Sequence, residues 1–197
     1  MNSSSSQDHP PSLTELELTV FGPGTGECIV LHLGNNDWMV IDSCCPPSSD
    51  EPAALDYFGR IGVDPRARVR CILATHWHDD HIQGLAKIVD HCADARFAMS
   101  GALSGQEFFR IVLEVDALNK LVKDTSSASE LADILESLKT RSDAGLMTGP
   151  GIYAQDGTRL FRGGYAGNVE VWALSPSSAT ITNAMGALAA RLLTPSN

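Results

Sequence analysis

The stretch Arg70-Cys71-Ile72-Leu73-Ala74-Thr75, running straight into His76-Trp77-His78-Asp79-Asp80-His81, decides the reading of this chain. Its first half is short, apolar and bounded by charge, the pattern of a buried strand. Its second half places three imidazoles and two carboxylates in six consecutive positions. Five ionisable side chains beside a buried strand are costly unless they have partners, and a metal ion is the partner that suits this donor set. In a loop turning into a helix, His76 and His78 point to one side and Asp80 and His81 to another. That gives two pairs of ligands, for two neighbouring ions or for one ion and a water. Zinc fits imidazole plus carboxylate, and so do manganese and iron.

Outward from this stretch, the chain reads as strands first and then strands alternating with helices. Leu13 to Phe21 alternates Leu16, Leu18 and Val20 against Glu15, Glu17 and Thr19, predicting a strand with one buried face. Gly22 to Gly26 breaks it. Cys28 to Leu33 and Trp38 to Asp42 flank the turn Gly34-Asn35-Asn36-Asp37 and predict a hairpin. Pro52 to Ile61 predicts a helix capped by Ser49 or Asp50, with Pro52 in its first turn. A further helix is expected over Ile82 to Cys92, with Leu85, Ile88 and Val89 inward, followed by a strand from Arg96 to Met99. Helical spacing recurs over Ser104 to Val122 and over Ser129 to Thr140, the latter capped by Ser129. Asp156-Gly157 suggests a hairpin between Ile152 to Ala154 and Arg159 to Arg162. A last strand spans Val169 to Leu174, and a last helix Ala184 to Leu193. The expected class is layered α/β, a mixed sheet with flanking helices.

Composition bounds the function. The 197 residues are 43% hydrophobic and 19% charged, an ordinary globular balance. Net charge is −10, and no Lys or Arg precedes Arg60. A basic stripe for a broad nucleic-acid footprint is therefore missing, and a polyanionic substrate has to be held locally, by metal or a few Arg residues. No apolar run approaches the roughly 18 residues of a membrane span, and Met1 to Ser12, read as a disordered tail, lacks the features of a secretory signal. The five cysteines, Cys28, Cys44, Cys45, Cys71 and Cys92, form no C-x-x-C pair and read as free thiols in a reducing cytoplasm. His32, between Leu31 and Leu33, is expected at a surface or edge, and His91 on a helix away from the loop.

His76-x-His78-x-Asp80-His81 after a strand resembles the metallo-β-lactamase superfamily at all four ligand positions. Gly24-Thr25-Gly26-Glu27-Cys28-Ile29-Val30 is similar to the Gly-x-Gly-Asp segment of its DNA-uptake (competence) branch, with Glu27 replacing Asp. Val40-Ile41-Asp42-Ser43 is similar to the strand-end Ile-Asp-x-Gly segment beneath the metals, and Ala173-Leu174-Ser175-Pro176 to a Leu-Ser-Pro segment of the same branch. The resemblance covers about Leu13 to Pro176. It implies an αββα sandwich and a hydrolase working through metal-bound hydroxide, with zinc (one or two ions; manganese or iron as variants) as cofactor. It assigns His76 and His78 to one ion, Asp80 and His81 to the second, and to Asp80 also the orientation of the attacking hydroxide. Asp42 would fix a histidine tautomer from behind.

The resemblance also implies ligands from a second half of the fold, yet no histidine follows His91, and neither Asp143 nor Asp156 looks like a bridging aspartate. The expectation is that residues 13–197 form the N-terminal portion of such a domain, completed by a C-terminal portion, covalent or as a separate fragment. A regulatory protease acting near Thr194 to Asn197 would fit this arrangement. The leading function is a phosphodiesterase or nuclease, with nucleic acid as the substrate. The alternatives are hydrolysis of a small ester, thioester or lactone, and a non-catalytic metal- or partner-binding subunit with an unfinished site.

Overall fold

A computed structural model describes residues 9–22, 26–76, 78–101, 127–143 and 151–183. The alternation around Asn35-Asn36 produces the first structure. β1 (Glu17–Phe21), β2 (Cys28–His32) and β3 (Trp38–Ile41) form an antiparallel meander, with Leu31 opposite Leu18 and Ile29 opposite both Val20 and Ile41. Asn35 and Asn36 hold φ of 53° and 58°, the left-handed pair that a tight hairpin turn needs and that Asn tolerates.

β3 then pairs in parallel with β4 (Val69–Ala74), β4 with β5 (Arg96–Ser100), and β5 with β6 (Ile152–Ala154), closing a six-stranded mixed sheet. β4 is buried at every position but Arg70, as expected for a strand covered on both faces. One face packs against α1 (Ala53–Ile61), α4 (Leu85–His91) and α5 (Ser127–Asp143), where Trp38 meets Phe58 edge-on at 5.4 Å. Each such fully buried side chain contributes about 1.5–3 kcal/mol. The short helices α2 (Pro65–Arg68) and α3 (Asp79–Ile82) enter and leave β4.

The opposite face is covered in its middle by a two-stranded antiparallel sheet, β7 (Thr158–Gly163) and β8 (Val169–Ala173), which lays Leu160, Phe161 and Val171 on Met39, Leu73 and Ala98. Two polar anchors hold it. Asp37 accepts from Arg70 Nε at 2.6 Å and from Gly164 N at 3.2 Å, and Arg96 donates to the Leu160 carbonyl at 2.8 Å. The architecture is a mixed α/β sandwich, a mixed sheet with flanking helices as expected.

Several expectations are corrected. The apolar face of β1 is not buried: Leu18 and Val20 are 62% and 59% exposed, because the β7–β8 sheet stops short of this edge strand. The helix expected over Ile82 to Cys92 is broken at Gly84, which takes φ of 79° and lets α3 and α4 diverge. Asp156-Gly157 does turn, but β6 joins the large sheet and β7 the small one, so no hairpin forms there. α1 starts from Pro52 without a side-chain cap, and the Ala53 N–H donates to the Cys44 carbonyl instead. Ser129 lies within α5 rather than at its cap. His32 is 1% exposed, because β1 covers what looked like an edge, and its ring lies 4.6 Å from Trp38. The helix expected over Ser104 to Val122, the helix over Ala184 to Leu193, and residues 1–8 of the expected tail lie outside the described residues. Among the described residues no helix is long and apolar enough to cross a membrane.

Candidate metal centre

Parallel strands β3 and β4 end side by side, and each end delivers chemistry. Asp42 follows β3 with φ of 56°, a left-handed kink that turns its carboxylate back toward β4. There Oδ1 accepts the Thr75 N–H at 2.7 Å, and Oδ2 accepts the Thr75 hydroxyl and lies 2.9 Å from His81 Nδ1. Thr75 Oγ1 also lies 2.9 Å from His76 Nδ1. Asp42 is 3% exposed, so these partners replace the water it gives up.

The loop from His78 to Gln83 is clamped by backbone. His81 N and Ile82 N donate to the His78 carbonyl, and Ser43 N donates to the His81 carbonyl at 2.8 Å. Ser43 Oγ donates to the Gln83 carbonyl at 2.8 Å, while the buried Ile82 side chain roots α3 in the core. From the other side the Glu27 N–H donates to the Asp80 carbonyl at 3.1 Å. Gly26 sits so close that a Cβ there would meet the Asp80 carbonyl oxygen at 2.6 Å, and its φ is +96°.

The outcome is a convergence. Ligand atoms of Asp42, His76 and His81 all lie within 4.8 Å of one another. The His76 and His81 rings are 4.6 Å apart, the His76 and His78 rings are stacked at 6.3 Å, and Asp80 Oδ2 lies 3.8 Å from His81 Nε2. Two ligand atoms on one tetrahedral ion are about 3.3 Å apart, given metal–nitrogen distances of about 2.0–2.1 Å. The 3.8 Å between Asp80 Oδ2 and His81 Nε2 comes within about half an ångström of that. With both Nδ1 atoms engaged by Thr75 and Asp42, the Nε2 atoms of His76 and His81 are the ones left for an ion, the arrangement in which a carboxylate behind a histidine sets its tautomer. The residues present therefore fit a divalent cation. Both Asp42 oxygens already accept hydrogen bonds, which suits positioning better than ligation. His76, His78 and Asp80 are exposed and His81 is half-buried, so the site opens to substrate.

The cysteines do not join it. All five are buried free thiols, and burial pushes Cys44 and Cys71 up to about 11 and Cys92 up to about 12. Cys45 instead donates to the Gln83 carbonyl at 3.6 Å, beneath the loop. His91 points its Nδ1 at the Lys87 carbonyl of its own helix. Sequence reasoning passed over Thr75 and Ser43. The signal for Thr75 was a hydroxyl placed between the last strand residue and the first histidine.

A polar constellation at the C-terminal ends of parallel strands, with imidazoles oriented from behind, defines the class: an α/β domain with a candidate metal site at its strand ends. Comparison with known families adds a likeness over part of the chain. Residues 21–104 match the sequence model of the metallo-beta-lactamase superfamily. That span holds β2 to β5 and all of Asp42, His76, His78, Asp80 and His81. Comparison with curated proteins gives no match.

Proposed function

We propose that this chain is a metal-dependent hydrolase in which His76, His78, Asp80 and His81 hold one or two zinc ions, or manganese or iron, and Asp42 and Thr75 orient the histidines. The observation that carries this is the clustering of the His76, His78 and His81 rings and the Asp80 carboxylate after β4, with the Nδ1 atoms of His76 and His81 engaged from behind by Thr75 and Asp42. A bound divalent ion lowers the pKa of a water ligand from about 15.7 toward about 7 and supplies a nucleophile at neutral pH. The protein's part is orientation. Asp42 keeps the His81 proton on Nδ1, Thr75 fixes His76 against Asp42, and the exposed Asp80 carboxylate is free to accept a hydrogen bond from the attacking oxygen.

The substrate reading that follows the DNA-uptake resemblance is a phosphodiester, within nucleic acid. A second reading, a small ester, thioester or lactone, is favoured by the apolar cleft beside His76 described below. The same proposal includes a C-terminal portion of the fold, covalent or as a separate fragment, that supplies further ligands; the exposed Leu16, Leu18 and Val20 side chains are an apolar surface for it to cover. The unpaired buried thiols support a cytoplasmic setting. Metal analysis of the purified protein, with hydrolysis of bis(p-nitrophenyl) phosphate and p-nitrophenyl acetate before and after chelation, tests the reading. Metal-dependent turnover of either probe is expected; a protein that holds no metal and hydrolyses neither removes it.

A further inference from the structure

Beside the candidate metal centre the two sheets part to leave a cleft of about 380 Å³, opening at Thr75 and His76. Its floor is Ile41, Leu73 and Ala154 of the large sheet, and its far wall is Leu160 and Val171 of the small one. Leu174 forms an exposed rim. Apart from His76 at the mouth, no Asp, Glu, Lys, Arg or His lines it. The volume is that of a small-molecule site. Its polar lining is neutral, from Thr75, Ser100, Ser175 and Trp172, so a sugar-phosphate placed here would bury its charge with no Lys or Arg to pair it, which is costly. A hydrocarbon chain placed here would lie against Ile41, Leu73, Ala154, Leu160 and Val171.

Resting on the hydrolase reading, we propose that this cleft is an acyl-chain site, and that the substrate is a carboxylic ester with an apolar acyl chain. The ester carbonyl lies at His76 and the chain runs down between the sheets over Leu73 and Ala154. In the reaction, the water oxygen forms a bond to the acyl carbon and the bond from that carbon to the leaving oxygen breaks. One water proton ends on the leaving alcohol and the other passes to solvent as the carboxylic acid ionises. Val171 and Leu174 set how long a chain fits.

Two measurements on the whole protein test this. Calorimetric titration with acetate, butyrate, hexanoate and octanoate reads product binding without turnover, and affinity is expected to rise about fourfold per methylene until the cleft is full. The metal-loaded protein is then assayed on the matching p-nitrophenyl esters and on bis(p-nitrophenyl) phosphate, with kcat/KM expected to follow the same series. Val171→Phe, which fills the cleft, and Leu174→Asp, which charges its exposed rim, should each compress the octanoate-to-acetate ratio at least tenfold. A flat series in both measurements, or turnover of the phosphodiester alone, overturns the proposal. Graded binding with no hydrolysis of any probe supports the cleft and removes the hydrolase reading instead.

Discussion

Asp42→Asn isolates the tautomer-setting role of Asp42. The substitution keeps size, and Asn tolerates the φ of 56° found here. What changes is the acceptor count. The carboxylate accepts from the Thr75 N–H and hydroxyl and faces His81 Nδ1 at 2.9 Å, whereas an amide has one accepting oxygen and an NH2 that only donates. If the amide oxygen stays on Thr75, the NH2 faces His81 Nδ1. His81 then has to accept there and carry its proton on Nε2, the atom facing the ion. If the amide turns round, its NH2 opposes the Thr75 N–H, and an unsatisfied buried donor costs about 1–3 kcal/mol. The first arrangement weakens metal binding and the second weakens the fold. Loss of such a supporting carboxylate lowers metal affinity about 10–100-fold. Competition with a chromogenic chelator for zinc, beside urea unfolding of the metal-free protein, reads the two costs separately. A folded Asp42→Asn protein with wild-type zinc affinity would refute the idea that Asp42 sets the His81 tautomer.

Three further outcomes are expected. Gly26→Ala places a Cβ 2.6 Å from the Asp80 carbonyl oxygen at a φ of +96°, so it should cost about 1–3 kcal/mol in urea unfolding and also lower zinc affinity by shifting Asp80; a neutral result on both would show that this contact does not hold the loop. His32 is buried with neither ring nitrogen hydrogen-bonded among the described residues; burial pushes its pKa down, with the Glu15 backbone and the carboxylates of Glu17, Glu15 and Asp37 pulling the other way. It folds neutral, so its share of stability is full above the unfolded value of about 6.5 and falls with pH below it, by at most about 1.4 kcal/mol per pH unit; in the metal-free protein His32→Leu should flatten that acid limb, and an unchanged slope would clear His32 of it. His78→Ala and Asp80→Ala should each abolish metal-dependent hydrolysis while leaving the unfolding free energy from urea titration within about 0.5 kcal/mol of wild type, as exposed positions do, whereas His91→Ala should keep activity; full turnover by Asp80→Ala would end its role beside the attacking oxygen.

The sequence by itself determined the strand-loop-helix carrying His76 to His81, the Asn35-Asn36 hairpin, the unpaired thiols and the mixed α/β class. Those features are local. Alternation, helical spacing, a left-handed turn and a donor cluster beside an apolar strand each declare themselves within about ten residues. Tertiary structure decided the rest, because each remaining feature depends on what packs against it from far along the chain. Leu18 and Val20 alternate like a buried face, but the sheet that would cover them stops short. His32 reads as an edge residue until β1 and Trp38 enclose it. Asp156-Gly157 reads as a hairpin until β6 is drawn to β5 and β7 to β8. Asp42 and Thr75 are 33 positions apart in sequence, and only the parallel pairing of β3 with β4 brings their polar groups together behind His76 and His81, because a crossover connection sets two strand ends side by side without leaving a mark in either strand's own sequence.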